Sequence, residues 1–436
     1  MNNLTKFGTL AEYNDFLNSA DCPYVNVSYV GATDEVKYFK DETVYQNQYA
    51  MMPFTVEITD LGGEQAVRLW FRTGENIYAK YKLNNGEWIS VGHENVTLDN
   101  LVVGDKVQII QKIAKRDSQD TGIFGEIAIW YNEQWDSVVE NARFKFYGNV
   151  LSLSFGDEYK TFPSLDIDFY YYKLFEDTVR LSVNLGNAEN LWLPTRGLTL
   201  GCFHCMFKDC TNLVKGPNIL AKTLPVRACD SMFDGCTGLT DMPIILAETI
   251  QGASLINTFK DCTSLVNTTT LHVNKITGNS GGAMSCMFYN CSSLTTAPTW
   301  NETVTINTEW PAERSMDSMF SNCTSLTDAS PIHITINDSE AKDGYVFGHM
   351  FNECTSLVTG PYLATNGGGG WSEGIFNVCN NLESITFLTN IENFNFGDLS
   401  GNAKEGTFYY LDGIGYDPAN FVPAQWTCTP YVEPNA

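Results

Sequence analysis

Long apolar runs are missing from this chain of 436 residues, and positive charge is scarce beside negative. No uninterrupted apolar stretch approaches the roughly 20 residues that a transmembrane helix needs, so no membrane insertion is expected. Lys and Arg number 26 against 51 Asp and Glu, a formal net charge of −25. Such a surface is repelled by phosphate backbones and by anionic lipid, which argues against nucleic acid as a partner. Histidine is scarce and scattered, at His93, His204, His272, His333 and His349. There is no His-Glu-x-x-His, no Gly-x-Ser-x-Gly and no Asp-x-Asp-x-Asp-Gly. The run Gly367-Gly368-Gly369-Gly370 is not followed by the Gly-Lys-Ser/Thr of a phosphate cradle. The expectation is therefore no catalytic residue, no metal site and no cofactor. Residues Met1 to Phe7 lack a basic segment followed by an apolar run, so no signal peptide is expected and synthesis in a cytoplasm is.

What the chain does contain is a repeat. Phe-x-x-Cys-x-x-Leu occurs seven times: Phe207-Cys210-Leu213, Phe233-Cys236-Leu239, Phe259-Cys262-Leu265, Phe288-Cys291-Leu294, Phe320-Cys323-Leu326, Phe351-Cys354-Leu357 and Phe376-Cys379-Leu382. The phenylalanines are 26, 26, 29, 32, 31 and 25 residues apart. A motif at such a period is the signature of a solenoid, in which each repeat buries its apolar side only against its neighbours. Pro217, Pro243, Pro298 and Pro361 each follow the Leu by four residues, and Met206, Met232, Met287, Met319 and Met350 precede the Phe. Seven of the 13 cysteines occupy one repeat position. Stacked rungs would align them in a buried column of free thiols, each acting as a small apolar filler. Cys202-x-x-Cys205 with Cys210 falls short of the four ligands of a closed zinc site, since His204 lies inside the pair, and packing is the reading preferred.

The rest of the chain is predicted around this array. Residues 1–50 form an arm with a helix over 5–18, from a Thr9 capping box, and strands near 24–30 and 36–39. Residues 51–150 alternate in the manner of an antiparallel β-sandwich, with a hairpin at Asn84-Asn85-Gly86. Residues 151–430 are the solenoid, closed by atypical rungs: Phe175 with Thr178 in place of Cys at the start, Phe408 and the strand near 422–427 at the end. Residues 431–436 are a tail. Within a rung a short parallel strand is expected from the Leu onward, as at 212–217 and 293–298, with a short helical or 3₁₀ turn at the Met-Phe. The fold class is thus mainly β, a sandwich followed by a leucine-rich-repeat solenoid.

Cys262-Thr263-Ser264-Leu265, Cys323-Thr324-Ser325-Leu326 and Cys354-Thr355-Ser356-Leu357, often followed by Pro, resemble the BspA-type leucine-rich repeats over residues 170–430. The openings Phe7-Gly8-Thr9-Leu10-Ala11-Glu12-Tyr13 and Val25-Asn26-Val27-Ser28-Tyr29-Val30 look like structural proteins of crAss-like phages and prophages of gut Bacteroidetes. Tyr81 to Trp88 and Tyr147 to Leu153 are similar to the domain that precedes the repeats in those proteins. This resemblance implies a non-enzymatic head or tail surface component on the virion. It implies partners among other virion structural proteins, an oligomeric setting within an assembly, and a solenoid offered to host-surface glycan or protein. A bacterial surface or secreted adhesin is the alternative. Ligand-contact candidates are the aromatics of the long rungs, Trp300, Trp310, Tyr345 and Trp371, because aromatic faces stack on sugars or anchor protein partners. Asp234, Asp241 and Asp261 are expected on a solvated face.

Overall fold

A computed structural model describes residues 37–40, 43–46, 48–71, 77–91, 96–113, 127–130, 142–161, 163–165, 168, 170–175, 185–278, 281–307, 314–337, 346–366, 373–389, 395–413 and 417–432. The predicted helix over 5–18 and strand over 24–30 lie outside these residues. The chain is mainly β, and its largest element is a sheet of nine parallel strands, solenoid-like in its one-directional stacking.

The first strands are β1 (Lys37–Lys40), β2 (Thr43–Gln46), β3 (Phe54–Leu61), β4 (Val67–Phe71), β5 (Ile77–Leu83), β6 (Ile89–Val91), β7 (Val96–Leu101), β8 (Lys106–Ile113), β9 (Ile127–Trp130), β10 (Ala142–Asn149) and β11 (Leu185–Trp192). They make an antiparallel pair of β1 and β2, a six-stranded sheet in the order β11-β10-β3-β8-β5-β6, and a three-stranded sheet β7-β4-β9. The Asn-Asn-Gly hairpin joins β5 to β6 as predicted, with Asn84 at φ 51°. That left-handed value suits Asn, whose short side chain tolerates it.

The array follows: β12 (Thr223–Leu224), β13 (Thr249–Gln251), β14 (Lys275–Thr277), β15 (Trp300–Asn307), β16 (Ile332–Asn337), β17 (Thr359–Asn366), β18 (Ser384–Leu388), β19 (Thr407–Tyr410) and β20 (Thr427–Pro430). Each pairs in parallel with the next. The strands do not begin at the Leu in the first five rungs: β15 and β16 start six residues after Leu294 and Leu326, and the predicted strand at 293–298 holds only a single bridge at Thr296. At Lys215, Asp241 and Asn267 there are single bridges only, and the strands proper come some residues later. Proline is the physical reason in the first two of these rungs: Pro217 and Pro243 have no N–H to extend a ladder from those bridges.

The Met-Phe side is not helical or 3₁₀. It is a run of tandem β-turns in which every fourth residue is left-handed, as at Arg227, Ser231 and Gly235, and again at Ala253, Asn257 and Asp261. In the Phe259 rung, Thr258, Lys260 and Cys262 donate N–H to the carbonyl three residues back, while Leu255, Asn257, Phe259 and Asp261 donate to Ala283, Ser285, Met287 and Tyr289 of the next rung. Alternate amides thus close the turn or tie the rungs, and the buried backbone is satisfied without a helix.

Inside, the seven motif phenylalanines form one stack. Successive ring centroids are 5.1 to 5.5 Å apart with planes within 17° of parallel. All are fully buried, each contributing about 1.5–3 kcal/mol by burial. The cysteine column is more than filler. Every motif thiol donates to the carbonyl of the Phe in the preceding rung, at 3.0 to 3.3 Å, from Cys210 on Phe175 to Cys379 on Phe351. Backbone N–H groups on this side point forward along the array, and the thiols point back.

Phe175 is the first member of the stack, 5.1 Å from Phe207, and Tyr171, Lys173 and Phe175 bond forward to Cys202, His204 and Met206. Thr178 lies outside the described residues. Phe175 also packs on Phe54 and Phe146, 5.9 and 4.8 Å away, so the stack runs into the six-stranded sheet. Strand β11 makes the same junction: it pairs with β10 on one side, and on the other Val214 donates to Gly186 and Ala188 donates to Lys215. At the far end the Phe position is taken by Phe396, against Phe376 at 5.7 Å, and not by Phe408, which lies on β19 opposite Ile385. Asn402 then replaces the motif Leu and donates to the carbonyl of Leu382 at 2.7 Å. The closing strand is β20, slightly later than predicted.

Burial pushes the column thiols up, to about 12 for Cys323 and Cys379, from an ordinary value of 9.0. The folded chain therefore keeps protons that the unfolded chain releases, and stability is present below about pH 9 and lost as pH rises toward 12. Urea unfolding midpoints should fall across that window, and Cys323→Ala should flatten part of the fall; a pH-independent slope difference of zero would contradict this. Among the described cysteines of the folded protein, iodoacetamide should label the partly exposed Cys286 and Cys428 first and the column only on unfolding, as read by mass spectrometry.

Candidate functional site

The four aromatics singled out from the sequence divide simply. Trp310, Tyr345 and Trp371 lie outside the described residues. Trp300 is at the start of β15, is 0% exposed, and its indole N–H donates to the Val273 carbonyl at 2.9 Å. It offers no face to a ligand, and the reading of it as a contact residue is corrected: a Trp on an inward strand position fills the core of a long rung.

The carboxylates expected on a solvated face are engaged between rungs. Asp234 is ion-paired to Lys208 of the rung before and lies 3.9 Å from Lys260 of the rung after. Asp241 accepts from Thr240 and from Asn267, and the Thr240 hydroxyl leads in holding its carboxyl below the usual range. Asp261 accepts from Asn290 at 2.7 Å, Asn290 accepts from Asn322 at 3.1 Å, and Asn352 accepts from Asn377 at 2.8 Å. These side chains lock register. Of the residues weighed for zinc, Cys202 is buried with its thiol pushed up by desolvation, Cys210 is bonded to Phe175, and His204 stacks on Tyr172 and faces Asp230 at 3.1 Å. Among the described residues no three metal-ligating side chains converge.

A different surface stands out on the nine-stranded sheet. Strand side chains alternate, so Ile332, Ile334 and Ile336 of β16 point into the core and His333 points out. Parallel register then lines up an outward row across six strands: Asn301, His333, Tyr362, Thr386, Tyr409 and Thr429. The neighbouring row is Thr303, Thr335, Ala364 and Leu388. Four rings form a connected strip here. His333 lies 3.6 Å from Tyr362, Tyr362 5.4 Å from Tyr431, and Tyr431 6.5 Å from Tyr409, centroid to centroid. Tyr431 comes from the residue after β20, held by its N–H on the Tyr410 carbonyl at 2.8 Å. Leu388 faces out in this region yet is only 9% exposed. Neither row contains Asp, Glu, Lys or Arg.

No protein family, no curated protein and no solved structure matches the chain. The site has to be read from its own geometry. Sequence reasoning missed the strip because its rings are spaced 29, 47 and 22 residues apart, at positions of different offset from the Phe motif. Only the strand register, with a shift in β17 between Thr359 and Tyr362, brings them together. The available signal was alternation in Ile332-His333-Ile334-Thr335-Ile336, which marks His333 as outward.

Core and surface aromatics should separate cleanly in denaturation. Trp300→Ala is expected to lower stability by about 3–5 kcal/mol through cavity formation, and Tyr409→Ala by under about 1 kcal/mol. Equal losses in urea titrations would contradict the placement of the two rings.

Proposed function

We propose that this is a non-enzymatic bacteriophage virion surface protein. On this reading the N-terminal sheets, closed as a β-sandwich, dock on head or tail proteins, and BspA-type leucine-rich repeats present the nine-stranded sheet to a host-surface glycan or protein. The carrying observation for the binding half is the uncharged strip of four rings on one regular face. Partly exposed aromatics held on or beside rigid strands bind partners with little loss of conformational freedom. For the docking half, support comes from the junction. With β11 bonded to both β10 and the first full rung, and Phe175 packed on Phe54 and Phe146, the two parts are joined by backbone as well as by core. A load or a ligand on the array would be held by the base. The sequence resemblance to phage structural proteins supplies the setting, and no helix among the described residues is long and apolar enough to cross a membrane.

The test is mass spectrometry of gradient-purified phage particles, with labelled-antibody electron microscopy. The protein should co-purify at fixed stoichiometry with virion structural proteins and decorate heads or tails. Absence from particles with labelling of bacterial envelopes would overturn this and favour a surface adhesin.

A further inference from the structure

We infer that the ring strip on β16 to β20 is a binding site for a neutral, β-linked polysaccharide chain lying across the strands. This deepens the binding half of the function proposed above and rests on it, but it can stand or fall separately from the virion assignment.

Three features of the strip select the ligand class. The first is its shape. The rings follow the array axis from His333 on β16 to Tyr409 on β19, three strand spacings or about 14 Å, with Tyr431 folded back between Tyr362 and Tyr409. That is an extended track rather than a pocket, and it suits a polymer. The second is its charge. In a chain with 51 carboxylates, the outward row from Asn301 to Thr429 has none, and it has no ammonium or guanidinium either. An anionic polysaccharide would meet no Lys or Arg here and would be repelled by the rest of the protein. A basic protein partner would find no carboxylate on the strip to pair with. The third is its chemistry. Apolar C–H faces of pyranose rings stack on Tyr, while sugar hydroxyls need neutral donors and acceptors of the kind that Asn301, Thr386 and Thr429 supply beside the rings. A β-linked chain exposes such faces at nearly regular intervals, and the rungs offer side chains at one strand spacing per step, about 4.8 Å.

Among the described residues only Tyr431 reaches this strip from beyond a strand end, and it touches both Tyr362 and Tyr409. It is therefore the residue that makes the strip continuous. Tyr409 is partly exposed and has no role in the Phe–Cys core, so it can be altered with the array intact.

The experiment is affinity electrophoresis of the full chain in native gels containing mixed-linkage β-glucan, galactomannan or, as the anionic probe, alginate. At least one neutral gel should retard the wild-type protein and alginate should not. Tyr409→Ala should weaken that retardation at least tenfold while the chain stays folded at the gel temperature, and Tyr409→Phe, which keeps the ring, should retain most of it. Equal retardation in alginate, retention by Tyr409→Ala, or no retardation in either neutral gel would overturn the inference. A protein found in particles yet indifferent to glycan loses this inference alone. One retarded by glycan but absent from particles keeps it and loses the virion assignment.

Discussion

Alternate amides on the turn side of each rung have no partner within their own rung and must find a carbonyl in the next. That requirement governs the rest of the structure. It demands a left-handed residue every fourth position, which is why Asn, Asp, Ser and Gly recur there, and it fixes the rungs in register to within a hydrogen bond. Once register is fixed, identical positions stack. The phenylalanines then meet face over face, with each pair adding about 0.5–1.5 kcal/mol beyond simple burial.

Cysteine at the next motif position answers a second constraint. The site is dry and small, yet the Phe carbonyl of the preceding rung faces it. A thiol fills the space as an apolar group would and still donates a weak hydrogen bond. Serine would be better as a donor and costlier to desolvate, and alanine would leave the carbonyl with less. The same dryness keeps the thiols protonated, which separates this column from reactive cysteine chemistry. Insertions are absorbed on the sheet side, where β15, β16 and β17 lengthen while the turn side keeps its pattern.

Lengthening changes the surface. The early strands, β12 to β14, are two or three residues long and carry little outward surface. The later ones are long enough to carry two outward rows of side chains, and the ring strip lies on them. Outward sheet surface thus grows where the repeat is least regular. Inter-rung ion pairs such as Lys208 with Asp234 sit on the turn side, away from the strip, so acidic charge is spent on register and solubility and kept off the uncharged face.

The motif spacing alone determined that rungs exist, how many full copies there are, and that Phe, Cys and Leu point inward, because those depend on residue type at a fixed period. It also marked Phe175 as an opening rung, and Asn84 to Gly86 as a turn, for local reasons of the same kind. Tertiary structure decided what spacing leaves open. Tandem turns in place of helix depend on amides paired across 20 to 31 residues. The role of Phe396 in place of Phe408 depends on which residue reaches the end of the ring stack. Trp300 became core because its strand parity points inward, while His333, Tyr362, Tyr409 and Tyr431 became a surface because parallel register aligned rings that no sequence period connects. Periodicity is a property of the chain, but which side of a sheet a residue faces, and what stands beside it, is fixed only when strands pair.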